Sequence, residues 1–207
     1  MSHIEIIAGV GAGKTSLGKA LSGYGFSFIP EEFETNPFLT AFHQDPRSCA
    51  FEFGMTMLMM HYNKINQRPQ TDRQPVYDFS LVTNEAYARS YLDFALMKPG
   101  LADLYIRSTA QARKESVKPA ARIFLELRPE TQIERIRKRG RELEREDRTT
   151  LDFIRILQQY LGDIASGLND GVPLIRLDAE RYNWVDSEKD KAFAARFIRG
   201  ETGRGPA

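Results

Sequence analysis

The chain has 207 residues, 42% hydrophobic and 28% charged, with a formal net charge of +1 and Cys49 as its one cysteine. That length can bury a core without staples, and the composition excludes a disordered chain and collagen-like repeats. One cysteine excludes an intrachain disulfide and a Cys-rich zinc site, and the near-neutral charge gives no support for a duplex-binding surface.

No apolar run approaches the roughly 20 residues of a membrane span, and residues 1–7 lead straight into a glycine loop. The chain is therefore expected to be soluble and cytoplasmic, with no membrane and no nucleic-acid partner. Residues 3–8 (HIEIIA) read as a buried strand, residues 9–13 as a glycine-rich turn and residues 14–22 as a helix. A second strand follows at 26–30 (FSFIP), then a long helix at 45–67. After a polar loop at 67–74, a third strand spans 75–80 (PVYDFS), with Pro75 at its start, where no ladder donor is needed. Lys98-Pro99-Gly100 separates helices at 82–96 and 101–115. Strand four at 122–127 (RIFLEL), helices at 130–139 and 151–168, strand five at 172–177 (VPLIRL) and a helix at 187–198 complete the pattern. Strands alternating with helices predict an α/β domain over residues 1–199, a mostly parallel sheet covered on both faces, with 200–207 a flexible tail.

The strongest motif follows the first strand: Ala8-Gly9-Val10-Gly11-Ala12-Gly13-Lys14-Thr15-Ser16. It matches the phosphate-loop pattern G-x-x-x-x-G-K-[ST], with Ala8 where the first glycine usually stands. Glycines let backbone N–H groups turn onto phosphate oxygens, and the helix behind points its positive end at the same anion. Lys14 would reach the β- and γ-phosphates, and the Thr15 hydroxyl would ligate Mg²⁺. ATP and Mg²⁺ are the implied cofactors. A phosphate loop names no reaction. A guanine-reading N-K-x-D is missing; its one near match, Asn63-Lys64-Ile65-Asn66, lacks the aspartate and lies inside a predicted helix.

In such sheets ligands bind beyond the carboxyl ends of the strands. Glu31 and Glu32 lie just past strand two and Asp78 near the end of strand three, so the carboxylates can converge on the γ-phosphate. One would hold Mg²⁺ and another would accept a proton from an incoming hydroxyl. Few cations lie between Glu31 and Gln67, which points to an uncharged alcohol as acceptor, and Phe33, Phe42, Phe53 and Tyr62 could stack a flat ring. Met55, Met57, Met59 and Met60 read as core or subunit contact. After strand four, Arg135, Arg139 and Arg141 form a basic lid at about residues 135–148 that could close on a triphosphate.

From Ile4 to about Ile198 these residues resemble the deoxynucleoside kinase family, particularly its bacterial deoxyadenosine/deoxyguanosine kinase branch. The resemblance rests on Pro30-Glu31-Glu32-Phe33, Asn36-Pro37-Phe38-Leu39, Phe42-His43-Gln44-Asp45-Pro46 with Ala50-Phe51, and Arg139-Gly140-Arg141-Glu142-Leu143-Glu144. It implies a P-loop kinase fold with a five-stranded parallel sheet, a dimer through helices, and Glu31 as base on a nucleoside 5′-hydroxyl. It further implies Asp78 on the Mg²⁺ side, Arg135, Arg139 and Arg141 on phosphate, Glu144 on the sugar 3′-hydroxyl and Trp184 near adenine. The acceptor side departs from the family pattern. Gly54 stands at a base-reading glutamine, His61 at a base-side arginine, Phe79 at the arginine of [DE]-R-S, Asn84 at a base-side aspartate and His43 at a tyrosine. These positions, with Phe53, are the candidate acceptor site, and Gly54 is expected to open volume there. The sequence thus reads as an ATP-dependent kinase of a deoxynucleoside or similar alcohol. Its alternatives are a kinase of another small-molecule alcohol or a catalytically weak nucleotide-binding subunit.

Overall fold

A computed structural model describes residues 2–67, 69–139 and 151–202. Five strands form one parallel sheet: β1 (Ile4–Ile7), β2 (Phe26–Ile29), β3 (Gln74–Tyr77), β4 (Ala121–Glu126) and β5 (Leu174–Asp178), in the order β2-β3-β1-β4-β5. The helices are α1 (Lys14–Ser22), α2 (Leu39–Gln44), α3 (Pro46–Asn66), α4 (Leu81–Asp93), α5 (Pro99–Glu115), α6 (Pro129–Arg139), α7 (Leu151–Gly167) and α8 (Glu188–Glu201). The expected doubly covered α/β sheet is present. Among the described residues no helix is long and apolar enough to cross a membrane.

Strand alternation sorts the core into two layers. Ile4 and Ile6 pack with Leu17, Leu21 and Ile198 beneath α1 and α8. Ile7, Tyr77 and Phe79 pack with Leu58, Ala86 and Leu157 beneath α3, α4 and α7. Glu5 is buried with His3 at 3.0 Å and Ser80 at 2.7 Å, and Arg122 beside it forms an ion pair with Asp170 at 2.8 Å. Burial alone would raise the Glu5 carboxyl, but His3, Arg122 and Ser80 outweigh it and hold it below its ordinary value.

Several boundaries depart from the sequence reading: β3 ends at Tyr77 rather than residue 80, β5 starts at Leu174 rather than residue 172, and α5 starts at Pro99, within the expected breaker. The α4 helix ends at Asp93 rather than residue 96, because Ala95 takes a left-handed φ of 52° and turns the amides of Leu96 and Met97 back onto the Tyr91 carbonyl. The tail does not begin at residue 200: α8 continues to Glu201, and Thr202 closes it through its amide on the Ile198 carbonyl. Between β2 and α3 lie a 3₁₀ turn (Phe33–Thr35) and α2, which carry no strong periodicity. They are held by Asn36, whose side chain donates to the Phe53 carbonyl and accepts from the Phe38 amide.

Candidate active site

The strand order brings three carboxyl ends together. β3 lies between β2 and β1, and the Asp78 amide continues the ladder onto the Ile29 carbonyl at 3.0 Å. Residues just past β1, β2 and β3, which are the phosphate loop, Glu31 and Asp78, therefore open into one cleft of about 1620 Å³. A single small-molecule pocket is commonly about 300–1,000 Å³, so this cleft has room for a nucleotide and an acceptor together.

The loop has the backbone its motif requires. Gly11 and Gly13 take left-handed φ values of 76° and 100°, and Gly13 caps α1 with no side chain over the helix end. Ala8 is buried and does not have a positive φ, so its methyl is accommodated where the pattern prefers glycine. Lys14 Nζ donates back to the Gly9 carbonyl at 3.1 Å. Thr15 Oγ1 donates to Asp78 Oδ2 at 2.6 Å, while Asp78 Oδ1 is buried with no partner. Burial raises the Asp78 carboxyl, aided by Glu31 and opposed by Lys14, Thr15 and Arg139.

The two candidate glutamates separate. Both border the cleft, but Glu32 is exposed and pairs with Lys64 at 2.8 Å. Glu31 turns into the cleft, where its Oε1 accepts from His61 Nε2 at 3.0 Å. Burial would raise the Glu31 carboxyl, but the hydrogen bond and electrostatic attraction of the His61 imidazole, together with Lys14, outweigh that and hold it below its ordinary value. It is therefore ionised at neutral pH.

The acceptor-side residues meet one another. His61 stacks on Phe79 with ring centroids 4.2 Å apart and planes 8° apart. His61 Nδ1 faces Asn84 Nδ2 at 2.9 Å, and Asn84 Oδ1 accepts from the Tyr105 hydroxyl at 3.0 Å. Phe53 stacks on Phe42 at 4.3 Å, and His43 lies edge-on to Phe42; all three line the cleft. Met57 is buried there, whereas Met59 on the outer face is 59% exposed.

Gly54 does not open volume, contrary to expectation. The Tyr105 ring occupies the place of its side chain: a Cβ there would lie 2.9 Å from Tyr105 Cζ and nearer still to Cε1. Tyr105 carries no sequence signal for such a role, and it is a residue the sequence reading missed. Thr83 was also missed; it lines the cleft with Oγ1 buried and unpartnered.

On the donor side, Trp184 is buried and borders the loop, its Nε1 3.7 Å from where a Gly13 Cβ would stand. Tyr182 stacks on it at 5.8 Å. Arg135 lines the cleft, but its guanidinium is engaged by carbonyls, donating to Ala12 at 3.2 Å and Ala179 at 2.7 Å. It ties the phosphate loop to the segment after β5. Arg139 lines the same cleft at the end of α6. Arg141, Glu144 and the rest of the expected lid lie outside the described residues.

A glycine cradle opening a helix, beside carboxylates at neighbouring strand ends, defines a P-loop phosphotransferase. Residues 4–198 match the family profile described as deoxynucleoside kinase, and the chain belongs to that family, whose enzymes phosphorylate deoxynucleosides with ATP. It is 24% identical over 201 residues to a deoxyadenosine kinase of Dictyostelium discoideum, covering 97% of this chain and 79% of that one. It is 26% identical over 199 residues to a deoxyguanosine kinase of Lactobacillus johnsonii, covering 92% and 88%. The fold is shared with deoxyadenosine kinase from M. mycoides bound to dATP, with a TM-score of 0.79, 20% identity and coverage of 96% and 100%.

Proposed function

We propose that the chain transfers the γ-phosphoryl group of ATP to the 5′-hydroxyl of a deoxynucleoside in this cleft, with Glu31 as the general base. The observation that carries this is Glu31, turned onto His61 within the cleft, ionised and under the influence of Lys14, whereas Glu32 at the same cleft is exposed and neutralised by Lys64. Glu31 Oε2 is then the oxygen to take the hydroxyl proton as the alcohol attacks phosphorus. The loop amides and Lys14 bind the transferring phosphates, and Arg139 adds charge from the end of α6. Thr15 Oγ1 and the unpartnered Oδ1 of Asp78 fit a Mg²⁺ ion, which supplies charge neutralisation on the phosphates when bound. Such an ion commonly takes one or two protein oxygens plus phosphate rather than an all-protein cage, and among the described residues no group of three His, Cys, Asp or Glu side chains could form one. Trp184 and Tyr182 would flank the adenine. Exposed Met59 on α3, with Leu101 and Leu104 on the adjoining α5, supports pairing with a second copy of the chain.

The test measures ADP release with ATP, Mg²⁺ and deoxyadenosine or deoxyguanosine. Glu31→Gln should lower kcat by about 100-fold or more, the usual scale of general-base loss, while ATP affinity stays within a few-fold. Glu32→Gln should remain near wild type. If Glu32→Gln is the damaging change, or if neither is, Glu31 is not the base.

A further inference from the structure

A base is effective only when its lone pair is held toward the proton it removes, and Glu31 sits in an irregular segment past the end of β2. Among the described residues its side-chain hydrogen-bond partner is His61, on α3. The ring is fixed on two sides: Phe79 covers one face, and Asn84 of α4 meets Nδ1, the nitrogen not facing Glu31.

The bonds in this row can be read from both ends. The ionised Glu31 carboxylate can only accept, so His61 Nε2 donates to it, and at the far end the Asn84 amide turns its Oδ1 to the Tyr105 hydroxyl, which donates to it at 3.0 Å. That leaves Asn84 Nδ2, which has only N–H to offer, facing His61 Nδ1 at 2.9 Å. Nδ1 must then carry a lone pair, and the ring proton lies on Nε2, pointing at Glu31. Each donor is polarised by the next in a buried setting, where such rows reinforce one another. His61, Asn84 and Tyr105 are each 5% exposed or less. With both His61 nitrogens and both Asn84 polar atoms in use, this row supports Glu31. Gly54 belongs to it by what it lacks, since only a residue without Cβ lets the Tyr105 ring lie where it does.

We infer that Tyr105, Asn84 and His61 form a buried relay that locks the Nε2–H tautomer of His61 and holds Glu31 in position, and that Gly54 exists to admit Tyr105. The three are positioning residues, acting through Glu31 rather than on substrate. This rests on the reading of Glu31 as base.

Two measurements test it. In kinetics with ATP and deoxyadenosine or deoxyguanosine, His61→Leu should lower kcat at least tenfold with the KM for ATP within about twofold. His61→Gln places an amide N–H where the imidazole Nε2–H was and should recover most of that loss. Tyr105→Phe removes one oxygen without changing volume; it should cost several-fold in the wild-type background and nothing further in His61→Leu. A kcat unchanged in His61→Leu, no recovery in His61→Gln, or additive losses would overturn the relay. The second measurement is independent of turnover and of folding of the His61 variants. Nitrogen-15 NMR of the histidines, three in all, should show a neutral Nε2–H signature for His61 that is lost or exchange-broadened in Tyr105→Phe. A His61 with its proton on Nδ1, or one indifferent to Tyr105→Phe, refutes the proposal. Turnover retained in Glu31→Gln would instead strike the base assignment. Turnover lost there but kept in His61→Leu and Tyr105→Phe would strike the relay alone.

Discussion

Substituting alanine at Gly54 tests the packing on which the acceptor end of the cleft depends. Gly54 lies inside α3, where glycine is about 1 kcal/mol less favourable than alanine, so propensity alone predicts that Gly54→Ala stabilises the protein. The packing predicts the opposite. The new Cβ would stand 2.9 Å from Tyr105 Cζ and 3.1 Å from its hydroxyl oxygen, against the roughly 3.5–4.0 Å of an ordinary carbon contact. Tyr105 is 1% exposed and tied to Asn84, so it has nowhere to swing. Overpacking of this kind costs about 1–3 kcal/mol, and a displaced Tyr105–Asn84 hydrogen bond adds about 1 kcal/mol. Set against the propensity gain, the net loss is about 2 kcal/mol, or about 4–8 °C in Tm for a chain of this size. Thermal unfolding of four proteins decides it: wild type, Gly54→Ala, Tyr105→Ala and the double variant. In the Tyr105→Ala background the clash is gone, and Gly54→Ala should turn stabilising by about 1 kcal/mol. A Tm that rises in Gly54→Ala with Tyr105 present would refute the close packing. By the same geometry a glutamine at Gly54 should lower activity, because it would displace Tyr105.

The remaining predictions concern charge. Asp78 is buried with one oxygen unpartnered and its carboxyl raised, so in the ligand-free protein its ionised form is a liability. Asp78→Asn should raise Tm by about 2–4 °C, roughly 1 kcal/mol, while Mg²⁺-dependent turnover collapses; a lower Tm would mean the carboxylate is structurally needed. Glu5 and Glu31 titrate the other way. Their folded carboxyls sit below the ordinary glutamate value of about 4.3, so their stabilisation is complete above that pH and is lost as pH falls through the lower folded values. Glu5→Gln should therefore lose stability at pH 7 and show a flatter acid limb in denaturant unfolding. An unchanged limb would mean that His3 and Arg122 do not bias Glu5.

The parts legible in the sequence are those decided by neighbouring residues. Residues 9–15 announce a phosphate loop because its chemistry is main-chain chemistry, and Gly11 and Gly13 need only their own φ angles to build it. Strand and helix order were legible for the same reason, and with them the meeting of the loop, Glu31 and Asp78 at adjacent strand ends. The preference for Glu31 over Glu32 came only from the family resemblance, not from neighbouring residues. What distinguishes them in three dimensions is their partners, His61 for Glu31 and, for Glu32, Lys64 of α3. Arg135 read as a phosphate ligand because arginine suits anions, yet its direction was set by the Ala12 and Ala179 carbonyls.

Gly54 shows the same limit most sharply. A missing side chain reads as empty space in one dimension, but interiors pack near crystal density and leave few voids. A glycine on a buried helix face therefore implies a large neighbour drawn close more often than a hole. Here that neighbour comes from α5, and it brings a hydroxyl that reaches Asn84 and, through it, His61 and Glu31. The departures at Gly54, His61, Phe79 and Asn84 look like separate losses along the chain. In three dimensions they are one rebuilt environment, with Phe79 stacked on the ring that Asn84 orients and Gly54 making room for the tyrosine that anchors it. Variants at these positions should accordingly fail to add, and pairwise cycles among them measure a property of the group that no single substitution isolates.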